Sequence, residues 1–262
     1  MSFSPPPASL AARSLLLQPE TLPLRPPNAA GELGRVLVVA PHPDDESLGC
    51  GGLLALLADA GAAPLVVFVT DGSQSHPNSR THPHERLREA REAEAAEALD
   101  RLGVGREASR FLRYPDSGLP AFETDAFADA AAGLAELLRD AAPDTLLVPW
   151  RRDPHCDHEG AWRLFRAAAR RLSLGERPRW LEYPVWAWAH RSTDRAPCAR
   201  DGSAWRLDIT DVLDRKRAAV YAHQTQLGAI TDDPEGFALG PEFVALFLRP
   251  WELFIEPHAP YG

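Results

Sequence analysis

The alternation of short apolar runs with long helical patterns constrains this chain more than any single motif does. VLVVA (36–40), PLVVFVT (64–70), RFLRY (110–114), TLLVPW (145–150) and WLEYPVW (180–186) are strand-like, and helix-forming stretches at about 48–60, 85–102, 123–141 and 159–172 separate them. Such alternation predicts βαβ units. The expected fold is α/β, Rossmann-like and doubly wound, with a mostly parallel sheet and helices on both faces. From about residue 205 a strand (WRLDIT), a helix (about 211–226) and the segment FVALFLRPWELFIE complete the same domain. Residues 31–262 are therefore expected to form one domain. Residues 1–30 form a Pro-rich arm, a strap or a disordered segment, with Pro5-Pro6-Pro7 and Pro26-Pro27 on either side of a short apolar run at Leu15–Leu17.

Composition narrows the class of partner. The 262 residues are 45% hydrophobic and carry a formal net charge of -9. That acidity argues against nucleic acid or an anionic membrane surface, both of which need a basic patch. No run approaches the roughly 20 apolar residues of a membrane span. Cys50, Cys156 and Cys198 are far apart with no CxxC pair, so neither a disulfide framework nor a thiolate zinc site is indicated. A reducing cytoplasm is the expected compartment.

In open α/β sheets, ligands bind beyond the carboxyl ends of the strands. PHPDDE (41–46) occupies that position after the first apolar run. As a turn it is ordinary, with Ser47 available as a helix cap. Three successive carboxylates beside a buried strand repel one another, however, unless a cation or proton compensates, and His42 adds a nitrogen donor. A second cluster, PWRRDPHCDHEG (149–160), follows the fourth run and falls on the same sheet edge. His155 and His158, three apart at a helix start, can face one way. Nitrogen and carboxylate donors without thiolate suit Zn²⁺, with Fe²⁺ as a competitor, and three protein ligands leave a position open for water. Cys156, between the histidines, is read as packing. GCGG (49–52) lacks dinucleotide-binding spacing and follows acids that would repel a pyrophosphate.

PHPDDE, TDG (70–72), the Arg91–Glu94 stretch, PDSGL (115–119), HCDH (155–158) and KRAAVYAHQTQ (216–226) together resemble the LmbE-like, or PIG-L, metal-dependent N-deacetylases. The resemblance runs from about Arg35 to Gln226. It implies His42, Asp45 and His158 as metal ligands and Asp44 as general base. It further implies that His155, if protonated, stabilises an oxyanion and that Asp157 stands behind a histidine; Glu46 is left to support either the metal ligands from behind or the helix start. Arg91 looks like a substrate-side residue, with an i,i+3 pair to Glu94 as the alternative; Ser75, His76 and His223 are weaker substrate candidates. Relatives that carry Tyr two residues before HxDH differ from this chain, which has Asp153 there.

The implied function is removal of an acetyl group from an N-acetylated amino-sugar conjugate of N-acetylglucosamine type, a small-molecule partner, with a homo-oligomer left open. A metal phosphoesterase would need a basic phosphate clamp or more bridging carboxylates. A non-catalytic glycan-binding member would have no need of Asp44. Trp150, Tyr183, Trp186 and Trp188 lie at or beyond strand ends, where a saccharide face could rest on a ring, although such residues more often belong to the core.

Overall fold

The computed structural model describes residues 14–261. In chain order the elements are β1 (Leu24–Arg25), β2 (Val36–Ala40), α1 (Asp45–Asp59), β3 (Leu65–Thr70), α2 (His84–Leu102), β4 (Ser109–Tyr114), α3 (Asp125–Ala141), β5 (Thr145–Pro149), α4 (Cys156–Arg170), β6 (Arg179–Tyr183), β7 (Gly202–Asp208), α5 (Leu213–Val220), α6 (Pro241–Ala245) and β8 (Trp251–Pro257). They build one eight-stranded sheet in the order β1-β7-β8-β6-β5-β2-β3-β4. The pairs are parallel except those of β8 with β6 and β7.

Period-2 alternation explains why the central strands read as unbroken apolar runs. Val36, Val38 and Ala40 enter one core with residues of α1 and α2, while Leu37 and Val39 enter the other with residues of α3 and α4. Val66 and Phe68, against Val67 and Val69, divide the same way. Helices thus cover both faces, and the turns after β2 and β5, adjacent parallel strands, open on one edge.

Several boundaries differ from the expectation. The DDE acids do not form a loop: Asp44 is the N-cap of α1, and Asp45, Glu46 and Ser47 are its first turn. Helix α4 begins at Cys156. The strand expected to reach Trp186 ends at Tyr183, with a 3₁₀ turn at Trp186–Trp188. The helix expected over 211–226 spans only Leu213–Val220, before a 3₁₀ turn at Gln224–Leu227. Residues of the arm pack on the domain: β1 pairs with β7, and Leu16, Ala29 and Ala30 are buried. Pro5-Pro6-Pro7 lies outside the described residues. No helix among the described residues is long and apolar enough to cross a membrane.

The GCGG stretch serves close packing. A Cβ at Gly49 would overlap the Tyr183 ring, and one at Gly52 would overlap Ile209. The buried Glu252 carboxylate accepts from Gly52 N (2.6 Å) and Leu53 N (2.8 Å) of α1. Lys216 Nζ donates to Glu252 (2.7 Å) and to the Leu48 carbonyl (2.8 Å). Removing one partner of such a pair strands a buried charge, so Lys216→Met is expected to lower unfolding stability by about 3–5 kcal/mol. Urea unfolding would measure this, and the double variant Lys216→Met/Glu252→Gln should recover part of the loss. An unchanged midpoint for Lys216→Met would show that the ion pair contributes nothing.

Candidate active site

The edge above β2 and β5 gathers the two sequence clusters. Asp45 Oδ2 lies 3.2 Å from His42 Nδ1 and 3.2 Å from His158 Nε2. Ligand atoms about 2.0–2.2 Å from a four-coordinate zinc stand roughly 3.3–3.5 Å apart, so this spacing fits a shared divalent ion. The far nitrogen of each histidine faces another carboxylate: His42 Nε2 is 3.1 Å from Asp157, and His158 Nδ1 is 2.8 Å from Asp153. A second carboxylate behind a ligating imidazole fixes its tautomer and orientation. The trio of His42, His155 and His158 brings its ring nitrogens within 4.8 Å of one another. His155 Nδ1 already accepts from Asp157 N (3.2 Å), which makes it the weaker ligand.

Electrostatics separate the two adjacent aspartates. Burial raises the Asp44 carboxyl to about 6, only partly countered by Arg91. Burial also acts on Asp45, but His158 and His42 outweigh it and hold this carboxyl far below the usual range. For His42, burial is overcome by Asp157 and Asp45, which lift the ring to about 9; for His158, Asp45 and Asp153 lift it to about 10. His155 goes the other way. Burial and the nearby His42 push it down to about 4. With Nδ1 accepting a backbone N–H, the proton of the neutral ring sits on Nε2.

Asp44 holds a backbone conformation that few residues other than glycine adopt, with φ 145° and ψ -28°. Its surroundings maintain it. Glu46 Oε2 accepts from Asp44 N (3.0 Å), and Arg91 donates to the carbonyls of Pro43 (2.7 Å) and Gly72 (2.8 Å) while standing 3.4 Å from the Asp44 carboxylate.

A cavity of about 370 Å³ opens over these groups. Ser75 lines it, and so does Arg91, although both terminal nitrogens of Arg91 are engaged on carbonyls. The i,i+3 pair with Glu94, the alternative reading of Arg91, is not made; Glu94 accepts from Thr225 N and Oγ1 instead. His76 and His223 do not line the cavity. His76 is buried under Gly236, and His223 Nε2 contacts Glu46 at 2.9 Å, so neither placement supports substrate contact. Cys156 is exposed and is not packing. Trp150, Tyr183 and Trp188 are core, whereas Trp186 lines the cavity.

The sequence reading missed Asp153, Asp116, Gln226, Phe237 and Leu239. For Asp153 a signal existed, an acid two residues before HxDH, but it read as a departure. Besides facing His158, it accepts from the backbone N–H groups of Val185, Trp186 and Ala187.

Fold and donor set together define an α/β protein with an acid-rich, metal-capable pocket at the carboxyl edge of its sheet. Residues 37–169 match the PIG-L family model, described as GlcNAc-PI de-N-acetylase. The chain is 30% identical to a 1D-myo-inositol 2-acetamido-2-deoxy-alpha-D-glucopyranoside deacetylase of Rhodococcus opacus, covering 77% of this chain and 84% of that protein. It is 34% identical to a 2'-N-acetylparomamine deacetylase of Streptomyces fradiae over 48% of each, so it spans about half the length of that relative. Among solved structures, the N,N'-diacetylchitobiose deacetylase of Pyrococcus horikoshii superposes with a TM-score of 0.59 at 23% identity, over 75% of this chain and 72% of that one. The chain belongs to the PIG-L, or LmbE-like, family.

Proposed function

We propose that this chain hydrolyses the acetamide of an N-acetylated amino-sugar conjugate, with His42, Asp45 and His158 holding one divalent ion, Asp44 as general base and His155 as oxyanion donor. The observation that carries the ligand set is the repeated arrangement in which each histidine turns one nitrogen to Asp45 and the other to a further carboxylate. The names of the relatives support the reaction, since both curated relatives above are deacetylases of acetamido sugars. Zinc is the ion proposed for this nitrogen and oxygen set, with Fe²⁺ as competitor. The free thiols of Cys50, Cys156 and Cys198 support a reducing compartment.

An amide carbonyl is a poor electrophile and water a poor nucleophile at neutral pH; the ion, when bound, lowers the pKa of its water toward about 7 and polarises the carbonyl. Asp44, with its pKa raised into a useful range, takes the water's proton and returns it to the leaving amine. Neutral His155 presents Nε2–H to the developing oxyanion, a donation typically worth about 3 kcal/mol. Asp157 holds His155 through its backbone N–H and His42 through its carboxylate. Arg91 and Glu46 keep the base in position.

Release of acetate and free amine in equal amounts from an N-acetylglucosaminide tests the reaction. Because the base must be ionised, kcat/KM is expected to fall as pH drops through about 6, or lower where the ion's charge favours the carboxylate. A profile flat from pH 7 to 4 would remove Asp44 from the role. No acetate from any acetamido sugar would reject the reaction.

A further inference from the structure

The cavity is lined by residues of two kinds. Gln74, Ser75, Asp116, Ser117 and Gln226 offer hydrogen-bond partners. Val185, Trp186, Phe237 and Leu239 are apolar. The apolar lining is built, not incidental. Trp186 stacks on Phe243 (4.9 Å, 20°), lies nearly parallel to His155 (6.1 Å, 21°) and meets Phe237 edge to face (5.6 Å). Phe237 leaves 39% of its surface exposed, yet its backbone is pinned, with Phe237 N donating to Ser75 O (2.7 Å) and Leu239 N to Gln226 O (2.8 Å). Asp233 ties the same loop to Asn78 N (2.8 Å). Arg91 is the only Lys or Arg that lines the cavity among the described residues, and its terminal nitrogens are engaged on carbonyls.

The hydroxyls around a sugar ring's edge can find partners among the polar lining residues and find none on Trp186, Phe237 or Leu239. We infer that Trp186, Phe237 and Leu239 form a subsite for an uncharged, apolar aglycone on the amino sugar. This rests on the deacetylase reading of the same site. Fixed aromatic rings beside the reacting centre stabilise such a group at little ordering cost. An anionic aglycone would meet no Lys or Arg with a free terminal nitrogen among the described residues that line the cavity.

The test uses the metal-loaded full chain and N-acetylglucosaminides that differ only in the aglycone: methyl, hexyl and phosphoethyl. Hexyl over methyl should raise kcat/KM by about 10-fold or more, the least that even one well-buried methylene contributes in an apolar pocket. In Phe237→Ala, whose exposed side chain can be removed without opening the core, that ratio should fall toward one with an unchanged Tm. Calorimetric binding of hexyl and methyl glucosaminide, the amine products, should show the same ratio without turnover. Acetate released equally from the hexyl and methyl glycosides, or faster from the phosphoethyl glycoside, overturns the subsite while leaving the deacetylase reading intact. No acetate from any glycoside, with hexyl glucosaminide still bound more tightly, overturns the deacetylase reading and keeps the subsite. A gain that follows a longer N-acyl group, and not the aglycone, places the apolar group elsewhere and overturns the inference.

Discussion

Asp44→Asn is expected to keep the wild-type metal content and to lower kcat by about 10²- to 10⁴-fold, the usual contribution of a general base. Two adjacent carboxylates in one pocket can do different work only where their environments separate them. Here they do. Asp45 faces two histidines at 3.2 Å and stays ionised. Asp44 has Arg91 at 3.4 Å and is raised by burial to about 6, within reach of proton exchange at neutral pH. Asn is the informative replacement because it tolerates unusual backbone conformations better than most residues and keeps the volume and one acceptor oxygen. Elemental analysis and acetate release measure the two outcomes separately. A near-wild-type rate would mean that another group activates the water. Loss of metal would mean that Asp44 and Asp45 have been assigned to each other's roles.

The framework was legible because burial on both faces writes itself into sequence: β2, β3 and β5 are continuous apolar runs, and their ends deliver PHPDDE and HCDH to one edge. What stayed hidden depends on pairings across long separations. Phe237 and Leu239 come from an irregular loop with no periodicity, held by Ser75 and Gln226. Lys216 and Glu252 look like surface charges until α5 and β8 bring them together inside the fold. The helix expected over 211–226 had adequate local propensity, but it ends at Val220, and His223 is buried against Glu46; tertiary contacts override local preference there. The lowered pKa of His155 could not be read either, since burial and the nearby His42 set it.

His158→Ala should lose both the ion and the activity, because it removes one of two imidazoles that converge on Asp45 and leaves that carboxylate with His42 alone. The measurement is metal per chain after adventitious ions are removed. Equal content in wild type and variant rules out the ligand set and, because His158 belongs to it as well, the trio of His42, His155 and His158. Asp153→Asn separates holding an ion from aligning its ligand. The amide keeps an oxygen at the Oδ1 position for the N–H groups of Val185 and Ala187, but puts an NH2 at the Oδ2 position, which in the wild type accepts from Trp186 N and faces His158 Nδ1. Outer carboxylates of this kind typically contribute about 10- to 100-fold to metal affinity or activity. Asp153→Asn should therefore bind the ion about that much more weakly in a chelator competition. If it binds the ion as tightly as wild type, Asp153 serves the turn alone, and the orientation of His158 is set by α4 and not by the carboxylate behind it.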